Sequence, residues 1–248
     1  MAPTVPLPRV SCICLTFGRP WFLEEAIESF LRQDYPGEAE LIVLNDFPGQ
    51  ELTYNGDSRV RMINRDDRFA SLGDKRNAAI EFGTGEVILT WDDDDISLPG
   101  RIRRTVSAIQ SGASFYRPSW SWISTNDQHP RLEFERVSWP QCGFTRELFH
   151  RVGGFPARYS GEDRGFAERV AATGCPIGFS RGGPDEATLL YRLWPDNPHA
   201  SGISTGDYSY AGLRALVEQM APRGTIALKP AWRRDYQMLC DTNGLTAY

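Results

Sequence analysis

The feature that most constrains this chain is a set of short, almost wholly apolar runs that each stop abruptly at polar residues. Residues 10–15 (VSCICL), 40–44 (ELIVL) and 86–91 (EVILTW) are rich in β-branched side chains and show no alternation between apolar and polar. Such runs read as strands buried on both faces, which is the habit of a parallel sheet covered by helices. A weaker strand is expected at 60–63. Between the strands the spacing changes. From Pro20 onward, Phe22, Leu23, Ala26, Ile27, Phe30 and Leu31 fall on one helical face, and Pro suits a helix's first turn. Residues 72–82 form a second helix closed by Gly83. A third opens at Ser97, Leu98 and Pro99, carries Ile102, Val106 and Ile109 on one face, and stops at Gly112. This alternation predicts an α/β fold with a mostly parallel sheet flanked by helices. Ligands of such sheets bind beyond the carboxyl ends of the strands. The polar tips Thr16–Phe17, Asn45–Asp46 and Asp92–Asp95 would gather on that edge.

The second half reads differently. Residues 113–145 are rich in Trp, Ser and Pro with little helical period. Residues 146–152 form a short helix before Gly153–Gly154–Phe155, and 162–173 another, with Phe166, Ala167 and Val170 inward. Residues 180–206 are a Gly/Pro/Asp-rich loop, 208–220 read as helix, and 221–248 show no clear pattern.

The 248 residues suit one domain with a sizeable core. Lys plus Arg number 27 against 32 Asp plus Glu, a net charge of −5, which argues against a general nucleic-acid binder. No apolar run approaches the ~20 residues of a membrane span, and the first residues lack the pattern of a signal peptide. Cys12, Cys14, Cys142, Cys175 and Cys240 are odd in number and scattered; they are expected to be reduced thiols in a cytoplasmic protein.

Four consecutive aspartates directly after a buried strand are the sharpest chemical signal. Crowded carboxylates raise one another's pKa unless a cation neutralises them. An all-oxygen set suits Mg²⁺ or Mn²⁺. The bland alternative is a solvated acidic turn capping the next helix, but Ser97 is already available for that role. Lys75 and Arg76 near a helix start could hold a diphosphate, or be an ordinary exposed first turn. Glu162 and Asp163 open another helix, where acids are common for the dipole alone; one of them could be a general base. His199 lies in a loop, where a histidine is more often a surface residue than a ligand. Trp120, Trp122 and Trp139 could stack on a ligand ring, although aromatic residues pack cores more often.

Taken in order, VSCICLTFGRP, ELIVLND, SLGDKRNAAIEFGTGEVILTWDDDDISLP, FTRELFHRVGGF and SGEDRGFAERV resemble the pattern of family 2 glycosyltransferases of the GT-A fold, over about residues 8–200. The resemblance implies a Rossmann-like sheet with a smaller acceptor-side half, in a single domain 1–248. Residues 8–112 would be the nucleotide-sugar-binding half, 113–206 the acceptor and catalytic half, and 207–248 a helical extension. It implies an inverting, metal-dependent transfer from a nucleotide-diphospho-sugar, a UDP-sugar foremost. Thr16 and Asp46 would lie at the nucleobase, Lys75 and Arg76 at diphosphate or ribose, and Asp92 and Asp93 at ribose, sugar or metal-bound water. Asp94 and His199 would ligate Mn²⁺ or Mg²⁺, Asp163 would be the base and Glu162 would orient it or contact the acceptor. The acceptor could be a glycan, a lipid-linked sugar, a protein or a small molecule. Peripheral membrane contact through Lys229, Trp232, Arg233 and Arg234 is the alternative to a packed terminal segment. The family often has two acids after the second strand; here they are Asn45 and Asp46. A sugar-nucleotide pyrophosphorylase and a non-catalytic nucleotide-sugar-binding module are the competing readings. The former would normally carry a Gly-rich basic loop where Thr16–Phe17–Gly18–Arg19–Pro20 stands.

Overall fold

The computed structural model describes residues 6–125, 130–134, 142–179, 186–193, 215 and 217–243. In chain order the strands are β1 (Val10–Thr16), β2 (Ala39–Asn45), β3 (Gln50–Thr53), β4 (Val60–Asn64), β5 (Val87–Asp92), β6 (Ile96–Ser97), β7 (Phe115–Arg117), β8 (Trp120–Ser124), β9 (Arg131–Phe134), β10 (Gly143–Thr145), β11 (Ile177–Phe179), β12 (Leu189–Arg192) and β13 (Gly224–Ala227). The helices are α1 (Pro20–Leu31), α2 (Leu72–Phe82), α3 (Arg101–Gln110), α4 (Arg146–Arg151), α5 (Glu162–Ala172) and α6 (Tyr236–Asn243).

Among the described residues a seven-stranded sheet runs β11-β7-β10-β5-β1-β2-β4. Its centre, β5-β1-β2-β4, is parallel, and β10 is antiparallel to both β5 and β7. The apolar runs form this centre because both faces are covered. One face packs Cys12, Cys14, Val43, Leu89 and Trp91 against α1 and α3; the other packs Ile13, Ile42, Leu44 and Ile88 against α2, α4 and α5. A second sheet, β6-β12-β8-β9, carries a third cluster in which Trp122 and Leu190 meet Tyr236 and Cys240 of α6.

Several expectations are corrected. Ser97 does not cap the third helix: Ile96 and Ser97 pair with β12, and Gly100, at φ 91°, occupies the cap before Arg101. The stretch 113–145, read as having little helical period, bears that reading out among its described residues, which supply β7 to β10. The final stretch, read as patternless within a helical extension, contains β13, which pairs in parallel with β3, and α6. These strands are held by partners far away in the chain, so their local signal is weak. All five cysteines are free, as expected, and burial pushes the Cys12 thiol up to about 12.

Candidate active site

Parallel register sets the site. Thr16 lies opposite Asn45 and Leu15 opposite Asp92, so the tips of β1, β2 and β5 end at one level. Asp92 is partly exposed, while Asp93, Asp94 and Asp95 are buried in the turn that follows. Arg19 spans two of them: Nη1 donates to Asp94 Oδ2 at 2.9 Å and Nη2 pairs with Asp93. Thr16 Oγ1 donates to Asp93 Oδ2 at 2.7 Å. Burial pushes the Asp93 carboxyl up to about 6, with Asp94 and Asp92 adding to the rise while Arg19 and Thr16 oppose it. Burial, then Asp94 and Asp92, also hold Asp95 well above the carboxylate range.

Carboxylate oxygens of Asp92, Asp94 and Asp95 all lie within 4.8 Å of one another. Asp95 Oδ1 accepts from the Arg192 backbone N–H at 3.0 Å, and its Oδ2 is buried without a hydrogen-bond partner. An all-carboxylate donor set with an unsatisfied buried oxygen fits a hard divalent cation. The expectation paired Asp94 with His199; His199 and Trp139 lie outside the described residues, within which Asp92 and Asp95 join Asp94.

The basic pair of α2 is directed inward. Ser71 caps this helix by accepting from Asp74 N. Lys75 Nζ donates to Asp46 Oδ1 at 2.5 Å and to the Thr16 carbonyl at 2.6 Å, and Asp46 Oδ2 accepts from Phe69 N at 3.1 Å. Burial pulls the Lys75 pKa down despite the Asp46 charge. One position on, Arg76 Nη2 donates to Glu162 Oε1 at 3.0 Å, and its guanidinium lies over the Phe155 ring. Burial raises the Glu162 carboxyl; Arg76 opposes this and Asp163 adds to it. Asp92, Asp163, Arg76 and Thr90 line one cavity whose other walls include Phe115, Phe144, Phe155 and Phe166. The first aspartate of the turn and the acidic start of α5 therefore face the same space.

The segment 153–158 is clamped to α2. Asn77 Nδ2 donates to the Phe155 carbonyl at 2.9 Å, and its Oδ1 accepts from Phe155 N at 2.8 Å. A Cβ on Gly73 would sit 1.9 Å from the Pro156 carbonyl oxygen, so only glycine permits this approach. Gly161, at φ 73°, then turns the chain into α5, placing Glu162 inside and Asp163 half-buried.

Arg19, Glu25, Asn77 and Arg192 were given no role by the sequence, and Asp95 entered only as one of the four consecutive aspartates. Arg19 follows directly on the polar tip of β1, and Glu25 interrupts the apolar side of α1 between Phe22 and Ala26; both signals were present. Trp122 is core, and Trp120 packs against Phe134 with tilted rings whose centroids are 4.8 Å apart. The C-terminal aromatic residue is packed: Trp232 Nε1 donates to Ser29 Oγ at 2.9 Å, and Arg32 lies over its ring. No described helix is long and apolar enough to cross a membrane.

This layout, a mostly parallel sheet with carboxylates massed at the end of β5, is that of the GT-A glycosyltransferases. Staphylococcus aureus TarS 1–349 in complex with UDP-GlcNAc superimposes with a TM-score of 0.62 at 16% identity, over 86% of this chain and 66% of that one. The mannosyltransferase PcManGT of Pyrobaculum calidifontis, in complex with GDP-Man and Mn²⁺, superimposes with a TM-score of 0.57 at 19% identity, over 90% and 67%. The family model for glycosyl transferase family 2 matches residues 11–161, and the chain belongs to that family. It is 28% identical over 132 residues to the glycosyltransferase MJ1057 of Methanocaldococcus jannaschii, covering 50% of this chain and 45% of that protein. It is 29% identical over 113 residues to the GalNAc(5)-diNAcBac-PP-undecaprenol β-1,3-glucosyltransferase of Campylobacter jejuni, covering 43% and 36%. The chain thus spans less than half the length of either of these curated relatives.

Proposed function

We propose that this protein is a metal-dependent inverting glycosyltransferase that moves a sugar from a nucleotide-diphospho-sugar, a UDP-sugar foremost, to an acceptor hydroxyl. The observation that carries the reading is the shared cavity of Asp92 and Asp163. A donor held at the aspartate turn would present its anomeric carbon towards the start of α5. Asp163 takes the proton of the attacking hydroxyl, a contribution of ~10²–10⁴-fold. Glu162, fixed by Arg76, orients the acceptor side of that cavity. Asp94, with Asp92 and Asp95, would hold Mn²⁺ or Mg²⁺, and His199 would join them; such an ion supplies charge neutralisation for a diphosphate leaving group. Thr16 and Asp46 border the nucleobase position. The bonds from Lys75 and Phe69 already engage both oxygens of Asp46, so a base N–H would share them. Lys75 and Arg76 act on the donor through Asp46 and the start of α5, and Asp93 with Arg19 lines the donor's sugar or ribose.

The names of the relatives widen the donor and acceptor choice. One solved neighbour carries UDP-GlcNAc, another GDP-Man with Mn²⁺, and the Campylobacter relative is named for a diphosphoundecaprenol-linked acceptor. A glycan or lipid-linked sugar is accordingly the acceptor class to try first. A thermal-shift screen of UDP-, GDP- and dTDP-sugars with and without Mn²⁺ tests the proposal. A ligand confined to the native state raises Tm in step with its affinity. The expected result is a rise that needs both sugar nucleotide and Mn²⁺, accompanied by slow release of nucleoside diphosphate. No shift with any donor, or pyrophosphate release from a nucleoside triphosphate and a sugar phosphate, would overturn it.

A further inference from the structure

We infer that Arg192, Glu25 and Tyr236 form a positioning assembly that sets the aspartate turn from behind. This rests on the proposed donor site and adds to Glu25 two residues, Arg192 and Tyr236, beyond the family-matched segment 11–161. Arg192 and Glu25 have no solvent exposure at all. Arg192 makes three directed contacts around the turn: its backbone N–H donates to Asp95 Oδ1 at 3.0 Å, Nε to the Asp94 carbonyl at 2.5 Å, and Nη1 to Glu25 Oε2 at 2.5 Å. Glu25, on α1, accepts at Oε1 from the Tyr236 hydroxyl at 2.7 Å and from the Arg233 backbone N–H at 3.1 Å.

The arrangement is a relay of fixed geometry. β12 delivers Arg192 to the turn through its pairing with β6, and α6 holds the far side of Glu25. Burying such an ion pair costs several kcal/mol in desolvation, and a core wanting only stability does as well with apolar residues. What the planar guanidinium supplies is direction, since it holds the Asp94 carbonyl and Glu25 at once, while the backbone N–H of the same residue holds the side chain of Asp95. Two of the three clustered aspartates thereby take their orientation from α1, β12 and α6. The C-terminal segment thus acts as a working part of the donor site although it touches none of the proposed reacting groups.

The test is the affinity for Mn²⁺ in the presence of UDP, read by the electron paramagnetic resonance of free Mn²⁺, alongside Tm without metal. Tyr236→Phe removes one hydroxyl and keeps the ring that packs on Trp232. Arg192→Lys keeps the charge opposite Glu25 but cannot reach both Glu25 and the Asp94 carbonyl. The expected result is Mn²⁺ affinity weakened about threefold by Tyr236→Phe and about tenfold or more by Arg192→Lys, the size of one ordinary net hydrogen bond at the lower and upper ends of its range. Tyr236→Phe should fold with a Tm within a few degrees of the parent. Variants that lose Tm while keeping Mn²⁺ affinity within experimental error would overturn the assembly and leave the donor site standing. A parent protein that binds no Mn²⁺ with UDP or GDP would overturn both.

Discussion

Glu40 offers a quantitative test of how the sheet is anchored beneath the site. Its Oε1 accepts from Ser11 Oγ at 2.8 Å, Thr84 N at 2.7 Å and Thr84 Oγ1 at 2.8 Å, while Oε2 accepts from Arg61 Nη1 at 2.9 Å. Burial disfavours the charge, but these bonds outweigh it, and the carboxyl falls from 4.5 to about 2. At about 1.4 kcal/mol per pH unit, that lowering amounts to ~3 kcal/mol in favour of the folded state. Arg61 is 44% exposed, so water screens its share and ~2 kcal/mol is the expected net value. The group is more acidic folded than unfolded. Its contribution is therefore complete above the unfolded pKa near 4.5 and is lost as pH falls towards 2. Urea unfolding of Glu40→Gln should show a deficit of ~2 kcal/mol at pH 7 that shrinks steadily through pH 4 and 3. A deficit that is absent at neutral pH, or that grows on acidification, would refute the reasoning.

Asp163→Asn should lower turnover ~10²–10⁴-fold while leaving donor affinity by calorimetry unchanged; an equal loss of both would remove it as the base. Arg19→Gln takes away the cation between Asp93 and Asp94. Its metal-free Tm should drop, its affinity for Mn²⁺ alone should rise several-fold, and weaker Mn²⁺ binding would contradict the neutralising role. Gly73→Ala drives a methyl into the Pro156 carbonyl. It should cost ~1–3 kcal/mol in chemical unfolding and lower turnover more than donor binding, because the path into α5 shifts.

The parallel centre was legible because burial on both faces leaves an uninterrupted apolar stretch, as in EVILTW. The aspartate turn was legible for the same reason, since its position follows from the end of that strand. What escaped notice were features created by distant pairing. Ser97 looks like a helix cap until β12 claims it, and GTIA at 224–227 has no strand identity without β3. Lys75 and Arg76 stood out as a basic pair near a helix start, but adjacent residues on a helix point in different directions. Their separate destinations, Asp46 and Glu162, depend on where β2 and α5 end up. Glu25 reads as one polar interruption in an apolar face until Arg192, 167 positions away, comes to meet it.

Helix α2 gives Lys75 to the tip of β2, Arg76 to the head of α5, and Asn77 to the turn before it. Three consecutive side chains of one rigid rod thus tie both walls of the cleft to a common ruler. Thermal jitter that displaces this rod carries the Asp46 tip of β2 and the Glu162 head of α5 along in unison, so the spacing between the proposed donor site and the proposed base is held by one element.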